Sequence, residues 1–286
     1  MEKTTVGIVG LGLMGASFAR AYKKNAPDIR VLGANRTKSV CDRAIEDGVI
    51  DGELDDDNVG ECDFIIVSLY PEASAEYIRE HRGSFRKGAL VIDCCGNKRM
   101  ICKAGYEASA GEGFSFIGGH PMAGTQFSGY SNSKADMFLG ASMILVPDPK
   151  LPDDVRDAQV FEAESLLAPV KFGSFVVTTP EKHDFMIAFT SQMAHVLASC
   201  YIKSPGAIDC KGFTGGSFGD MTRVAYLNPE MWTELFLANA DNLTAEIEAI
   251  QGELEKVRTA IANGDAKELC RLLDEGRALK EVIKSE

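Results

Sequence analysis

One of the chain's four histidines, His120, lies inside "GGHPMAGTQFSG" (118–129). Four glycines and a proline suit that stretch to turns and close backbone approach, but a turn has no use for an imidazole. Placed just after the apolar residues Phe114, Phe116 and Ile117, a histidine can accept a proton near neutral pH. Farther on, Asp184, Ala188, Ser191 and His195 are spaced 4, 3 and 4, which puts them on one face of a helix. Polar groups on so apolar a segment ("FMIAFTSQMAHVLASCY") need partners or a wet cavity, so this face is expected to wall a site. In "GGSFGDMTRVAYLNPEMW", Arg223 follows Asp220 by three residues. It can form an ion pair on one helical turn, or grip a substrate carboxylate through two hydrogen bonds.

A second chemistry is written near the start. Gly10-Leu11-Gly12-Leu13-Met14-Gly15 follows the apolar "VGIVG" and opens the amphipathic "ASFARAYKK". Strand before and helix after is the context in which G-x-G-x-x-G binds a dinucleotide. Gly10 permits the tight turn, Gly12 lets backbone approach a pyrophosphate, and Gly15 allows close helix–strand packing. The phosphates then rest on the helix start, at Leu13, Met14 and Gly15. The second strand ends in "GANRTKS", without the acid that usually binds a ribose 2′-hydroxyl. Arg36 and Thr37, with Lys38, offer donors to a 2′-phosphate, which favours NADP. Asn35 can still bond a free hydroxyl, so NAD is the alternative.

These groups need a scaffold. Apolar runs at 6–10, 31–35, 64–70, 89–95, 114–119, 142–147 and 175–179 read as strands. Helical patterns at 13–25, 39–47, 72–81 and 154–168 alternate with them, which predicts a mostly parallel sheet with helices on both faces. The character changes at "TTPEKHD", where Thr179 caps a helix and Pro180 takes its first position. The boundary is therefore set between a dinucleotide-binding domain, 1–179, and a helical domain, 180–286. Leu243, Ile247, Ile250, Leu254, Val257 and Ile261 form a stripe on one long helix, fit for an intramolecular helix pair or a subunit interface.

Composition narrows the class. A net charge of −12 with no Lys/Arg block argues against a nucleic-acid partner. No run of about 18 apolar residues is present to cross a membrane. The start is too short in apolar character for a signal peptide. The eight cysteines form no C-x-x-C pair, so no metal site is expected, and reduced thiols in a cytoplasmic protein are.

Taken together, the chain closely resembles the prephenate/arogenate dehydrogenase family of tyrosine biosynthesis. The likeness rests on "VGLGLMGAS" (9–17), "GGHPMAGTQFSG" (118–129), "HDFMIAFTSQMAH" (183–195) and "GGSFGDMTRVA" with Trp232 (215–232). It implies an α/β Rossmann-type domain and an all-α C-terminal domain that forms a homodimer. The implied reaction oxidatively decarboxylates a cyclohexadienyl substrate with NADP or NAD. His120 would draw off the proton of the ring hydroxyl, and Arg223 would bind the ring carboxylate. Ser191 and His195 would line the pocket of substrate and nicotinamide, and Trp232 would pack near it.

Three positions depart from the family pattern. Gly96, in Asp93-Cys94-Cys95-Gly96-Asn97-Lys98, stands where a serine helps to orient the histidine, and Asn97 or a water is the expected substitute. Gln126 replaces a glutamate that could pair with an arginine and gate the substrate site, and Gln192 replaces a second histidine. Two other readings compete. One is a 3-hydroxyacid-type dehydrogenase, which would need a helix lysine where only Lys203 is offered. The other is a catalytically silent NADP-binding dimer.

Overall fold

The computed structural model describes residues 4–125 and 127–284. Gln126, expected at the gate, lies outside the described residues. The chain divides into two compact units, Met1–Asn239 and Ala240–Glu286.

The first unit begins with alternating strands and helices: β1 (Thr5–Val9), α1 (Leu13–Asn25), β2 (Arg30–Ala34), α2 (Lys38–Glu46), β3 (Gly52–Glu53), β4 (Phe64–Val67) and α3 (Pro71–His81). It continues through β5 (Leu90–Asp93), α4 (Arg99–Ser109), β6 (Ser115–Pro121), β7 (Ser142–Val146), α5 (Asp153–Leu167) and β8 (Ser174–Val177). The strands form one sheet in the order β3-β2-β1-β4-β5-β6-β7-β8. Pairing is parallel except between β6 and β7. Alternate residues of β4 feed two separate cores: Phe64 and Ile66 on one face, Ile65 and Val67 on the other. Helices cover both faces, which is why the strands read as continuous apolar runs.

All seven expected strands are present. β3 escaped because it is two residues long. α4 escaped because its buried side is made of small residues, with only Ile101 large beside Cys102, Ala104, Gly105 and Ala108. A Cβ on Gly105 would sit 2.3 Å from the Phe116 ring, so this helix packs by giving way to the sheet.

β6 is the element that matters most for the site. Its first residues pair with β5 and its last, Gly118 to Pro121, pair only with β7. His120 was expected in a loop just beyond the strand; it lies within it, opposite Ile144. A Cβ on Gly119 would be 2.5 Å from the Asp93 carbonyl oxygen, so glycine is needed where β6 crosses the end of β5.

After β8 the first unit is helical: α6 (Pro180–Ile187), a five-residue π turn (Ala188–Gln192), α7 (Met193–Tyr201), α8 (Gly216–Thr222) and α9 (Pro229–Leu237). Thr179 caps α6, its hydroxyl accepting from the Lys182 N–H at 3.3 Å. The second unit is a helical hairpin, α10 (Ala240–Ala262) and α11 (Ala266–Lys284). Its turn uses Gly264 at φ +64°, and Asp265 caps α11 by accepting from Glu268 N–H. On the α10 stripe, Leu254 and Ile261 are exposed. No helix among the described residues is long and apolar enough to cross a membrane.

Candidate active site

The cradle for a dinucleotide is formed by the end of β1 and the start of α1. Gly10 adopts φ +94°, and its N–H is bound by the Ala34 carbonyl at 2.8 Å. A Cβ on Gly15 would lie 1.9 Å from the Gly10 oxygen, so the turn closes only around glycine. A Cβ on Gly12 would meet nothing within 4 Å, and α1 has no side-chain cap. Open space beside free N–H groups of Leu13, Met14 and Gly15 at a positive helix end fits a pyrophosphate.

The residues at the end of β2 are used unequally. The Asn35 side-chain oxygen accepts from the Leu11 N–H at 3.1 Å, so Asn35 braces the glycine loop. Lys38 is held by Glu53 and Asp42. Arg36 and Thr37 are exposed, and Arg36 has no ion pair among the described residues. These two are the groups free to meet a 2′-phosphate.

At the other side of the sheet end, buried polar groups fix His120. Asp93 accepts from Gly119 N–H at 3.0 Å and Cys95 N–H at 2.8 Å, and it pairs with the fully buried Lys98. β5, the following turn and β6 are thereby joined one residue before His120. The His120 Nδ1 lies 2.9 Å from Nε2 of His183, and His183 Nδ1 lies 2.8 Å from Asp184 Oδ1. Asp184 is also bonded by the N–H groups of Lys98, at 2.6 Å, and Arg99, at 3.0 Å. Burial, with His183 and Lys98 nearby, holds the His120 pKa well below the ordinary histidine value. Burial lowers that of His183 too, against the opposing pull of Asp184. For Asp184, burial acts to raise the pKa, but the bonds from His183, Arg99 and Lys98 bring it below the usual carboxylate value. His183 was not singled out from sequence; the adjacent His-Asp pair in the first turn of α6 was its signal.

A second buried network lies beside the first. Gln192 donates to Asn97 Oδ1 at 2.9 Å, and Asn97 donates to the Leu235 carbonyl at 2.7 Å. Asn239 donates to Gln192 Oε1 and to the Asp184 carbonyl, each at 2.8 Å. Asn97 was one expected substitute for the missing serine, but it bonds Gln192 and Leu235 instead of His120. A Cβ on Gly96 would lie 3.2 Å from Leu235 Cδ2, so Leu235 occupies the space beside it.

The predicted stripe needs correction. Asp184 and Ala188 are buried, but the next buried polar residue is Gln192, while Ser191 and His195 are only half-buried. The cause is the π turn over 188–192, which adds a residue to the turn and changes the helical phase. His195 bonds the Ser191 carbonyl through Nδ1 at 2.8 Å and packs on Trp232, with ring centroids 3.9 Å apart. Burial and the Arg223 charge lower the His195 pKa. Arg223 itself is exposed and has no ion pair with Asp220 or any other described residue.

Comparison with known proteins gives this geometry a lineage. Residues 18–171 match the family model "Prephenate dehydrogenase, nucleotide-binding domain", and residues 179–275 match "Prephenate dehydrogenase, dimerization domain". The chain belongs to the prephenate dehydrogenase family. As a member it is an NAD(P)-dependent oxidoreductase. A prephenate dehydrogenase of Bacillus subtilis is 30% identical over 94% of this chain and 73% of its own. A cyclohexadienyl dehydrogenase of Zymomonas mobilis is 28% identical over 98% and 96%. The crystal structure of Aquifex aeolicus prephenate dehydrogenase with hydroxyphenyl propionate and NAD+ superposes with TM-score 0.84 at 26% identity, covering 99% of each chain.

Proposed function

We propose that this family member oxidatively decarboxylates prephenate or arogenate, with His120 as the base. The observation that carries this reading is a histidine whose Nδ1 is engaged by His183 and whose Nε2 has no partner among the described residues, in surroundings whose burial lowers its pKa. A neutral imidazole is the form that can accept the proton of the ring hydroxyl. NADP, or NAD, held at the glycine loop would supply the acceptor for the hydride leaving the carbon that bears that hydroxyl. Removing the hydroxyl proton raises electron density at that carbon and favours hydride loss; the ring carboxylate then departs as carbon dioxide and the ring becomes aromatic.

The other residues bind and orient. Gly10, Gly12 and Gly15, with the N–H groups of Leu13, Met14 and Gly15, hold the pyrophosphate. Arg36 and Thr37 take the 2′-phosphate of NADP, and Asn35 supports them through the glycine loop. Arg223, without an ion pair among the described residues, takes the ring carboxylate. Ser191 and His195 line the substrate pocket, with Gln126 assigned beside them from sequence.

We place the functional boundary at 179/180, one residue after the second family model begins at 179 and beyond the end of the first at 171, although the compact units part at 239/240. The protein acts as a homodimer through its C-terminal helices, a reading supported by exposed Phe189, Phe213, Tyr226, Leu254 and Leu273. It works in the cytoplasm, where eight unpaired cysteines stay reduced. A 3-hydroxyacid chemistry is disfavoured because Lys203, in the turn after α7, is exposed.

The test is turnover. Purified protein is mixed with NADP or NAD and with prephenate, arogenate or a 3-hydroxyacid, and reduced cofactor is followed. Turnover of a cyclohexadienyl substrate, faster with NADP, is expected; none with either cyclohexadienyl substrate rejects the reading.

A further inference from the structure

We propose that His183, held by Asp184, fixes the tautomer of His120 and thereby makes Nε2 its proton-accepting atom. His183 is then a positioning residue, doing what a serine at position 96 would otherwise do. This inference rests on the reading of His120 as the base.

The assignment follows from counting protons along one chain of contacts. The Asp184 carboxylate is fully buried and surrounded by donors: Lys98 N–H and Arg99 N–H from the backbone, and Arg99 Nε from the side at 3.2 Å. An ionised carboxylate only accepts, so His183 Nδ1, 2.8 Å away, must carry hydrogen. A neutral imidazole has one N–H, which leaves His183 Nε2 bare. That bare nitrogen lies 2.9 Å from His120 Nδ1, so His120 donates there. The one hydrogen of neutral His120 is then spent on Nδ1, and Nε2 presents its lone pair.

Nothing else among the described residues bonds the His120 ring. Gly96 has no hydroxyl, and Asn97 is committed to Gln192 and Leu235. The charged and titratable groups around the two rings are Lys98 and Asp93 from β5 and its turn, Arg99 at the start of α4, and Asp184 on α6. Lys98 and Asp93 are paired with each other, which leaves Asp184 as the carboxylate facing the histidines. During reaction the substrate O–H bond breaks and an Nε2–H bond forms on His120, with the electron pair left on oxygen. The new imidazolium faces Asp184 through His183, and that carboxylate stabilises it.

The test uses the full chain with 15N-labelled histidine and imidazole-resolved NMR at pH 7. His120 and His183 are both expected as Nδ1–H tautomers. In His183→Leu, His120 should lose the fixed Nδ1–H form, and kcat should fall roughly 10²–10³-fold with KM little changed. His183→Gln offers an amide oxygen near the old Nε2 position and should restore the Nδ1–H form and most of kcat. An Nε2–H form of His120 in the unsubstituted protein overturns the proposal. So does His183→Leu with kcat within about threefold of the parent, or equal loss in the Leu and Gln variants. If His183→Leu does not fold, the spectrum of the unsubstituted protein decides alone. The spectra also stand when neither substrate is turned over, so failure of the substrate reading is seen separately.

Discussion

His120 and Arg223, proposed to serve one site, differ in how much of their geometry the chain itself supplies. Around His120, polar groups are buried and bonded: Asp93 to Lys98 and Gly119, Asp184 to His183, Lys98 and Arg99. Around Arg223 the guanidinium is exposed and without an ion pair among the described residues, and its neighbours include the half-buried His195. The first region is preorganised, so proton transfer needs no rearrangement of its partners. The second is exposed, and on the proposed reading its bonds are completed only by substrate. On the proposed roles, the group that reacts is fixed beforehand and the group that recognises is kept free.

Substitutions can break or sharpen this contrast. The largest effect is expected at the fixed end: His120→Asn should lower kcat roughly 10²–10⁴-fold with little change in cofactor affinity. An unchanged kcat would remove the base role. At the open end, Arg223→Ala should mainly raise KM, by about 30-fold for a charged contact worth roughly 2 kcal/mol. Its Tm should not move, since no ion pair with Asp220 exists to lose; an unfolded variant would show that Arg223 is structural after all. The cofactor loop carries the same contrast on a smaller scale. Gly12→Ala meets no protein atom and should leave Tm intact while weakening dinucleotide binding. Gly15→Ala runs into the Gly10 oxygen and should cost about 1–3 kcal/mol of stability. Equal effects of the two in thermal melts would refute the assignment of open space to ligand.

The smallest effect is on pH stability. His120, His183 and His195 all have lowered folded pKa values, with burial the leading cause. Below their ordinary value of about 6.5 the unfolded chain binds more protons than the folded one, so stability falls as pH falls. A drop in Tm of a few degrees, on the order of 2–4 °C per kcal/mol, is expected between pH 7.5 and 5.5. A flat profile would mean that these rings are better solvated than their burial implies.

Much of this could be read before any coordinates. Seven strands announced themselves because both sheet faces are buried, and the Thr179–Pro180 helix start was written in its cap. α4 was silent because its packing depends on small residues and on Gly105 yielding to Phe116. Asn35 reads as a ribose ligand in sequence, but its bond to Leu11 runs between segments that sequence does not bring together. His183 was hidden for the same reason: its value lies in contacts with His120 on β6 and with an ionised neighbour. The stripe over 184–195 misled because helical spacing assumes an unbroken α-helix.

That broken spacing has a consequence of its own. In a regular helix, eight residues from Asp184 to Gln192 overshoot two full turns by about 80°. The wide turn at Ala188–Gln192 absorbs the overshoot, and Asn239 can bridge the Asp184 carbonyl and Gln192 Oε1 together. The segment thus works as two helices with separate rotational settings, one carrying His183 and Asp184 and the other carrying His195. Losing a single residue between 188 and 192 would merge them into one setting. Either His183 and Asp184 or Ser191 and His195 would then face the wrong way, with no change in any side chain that does chemistry.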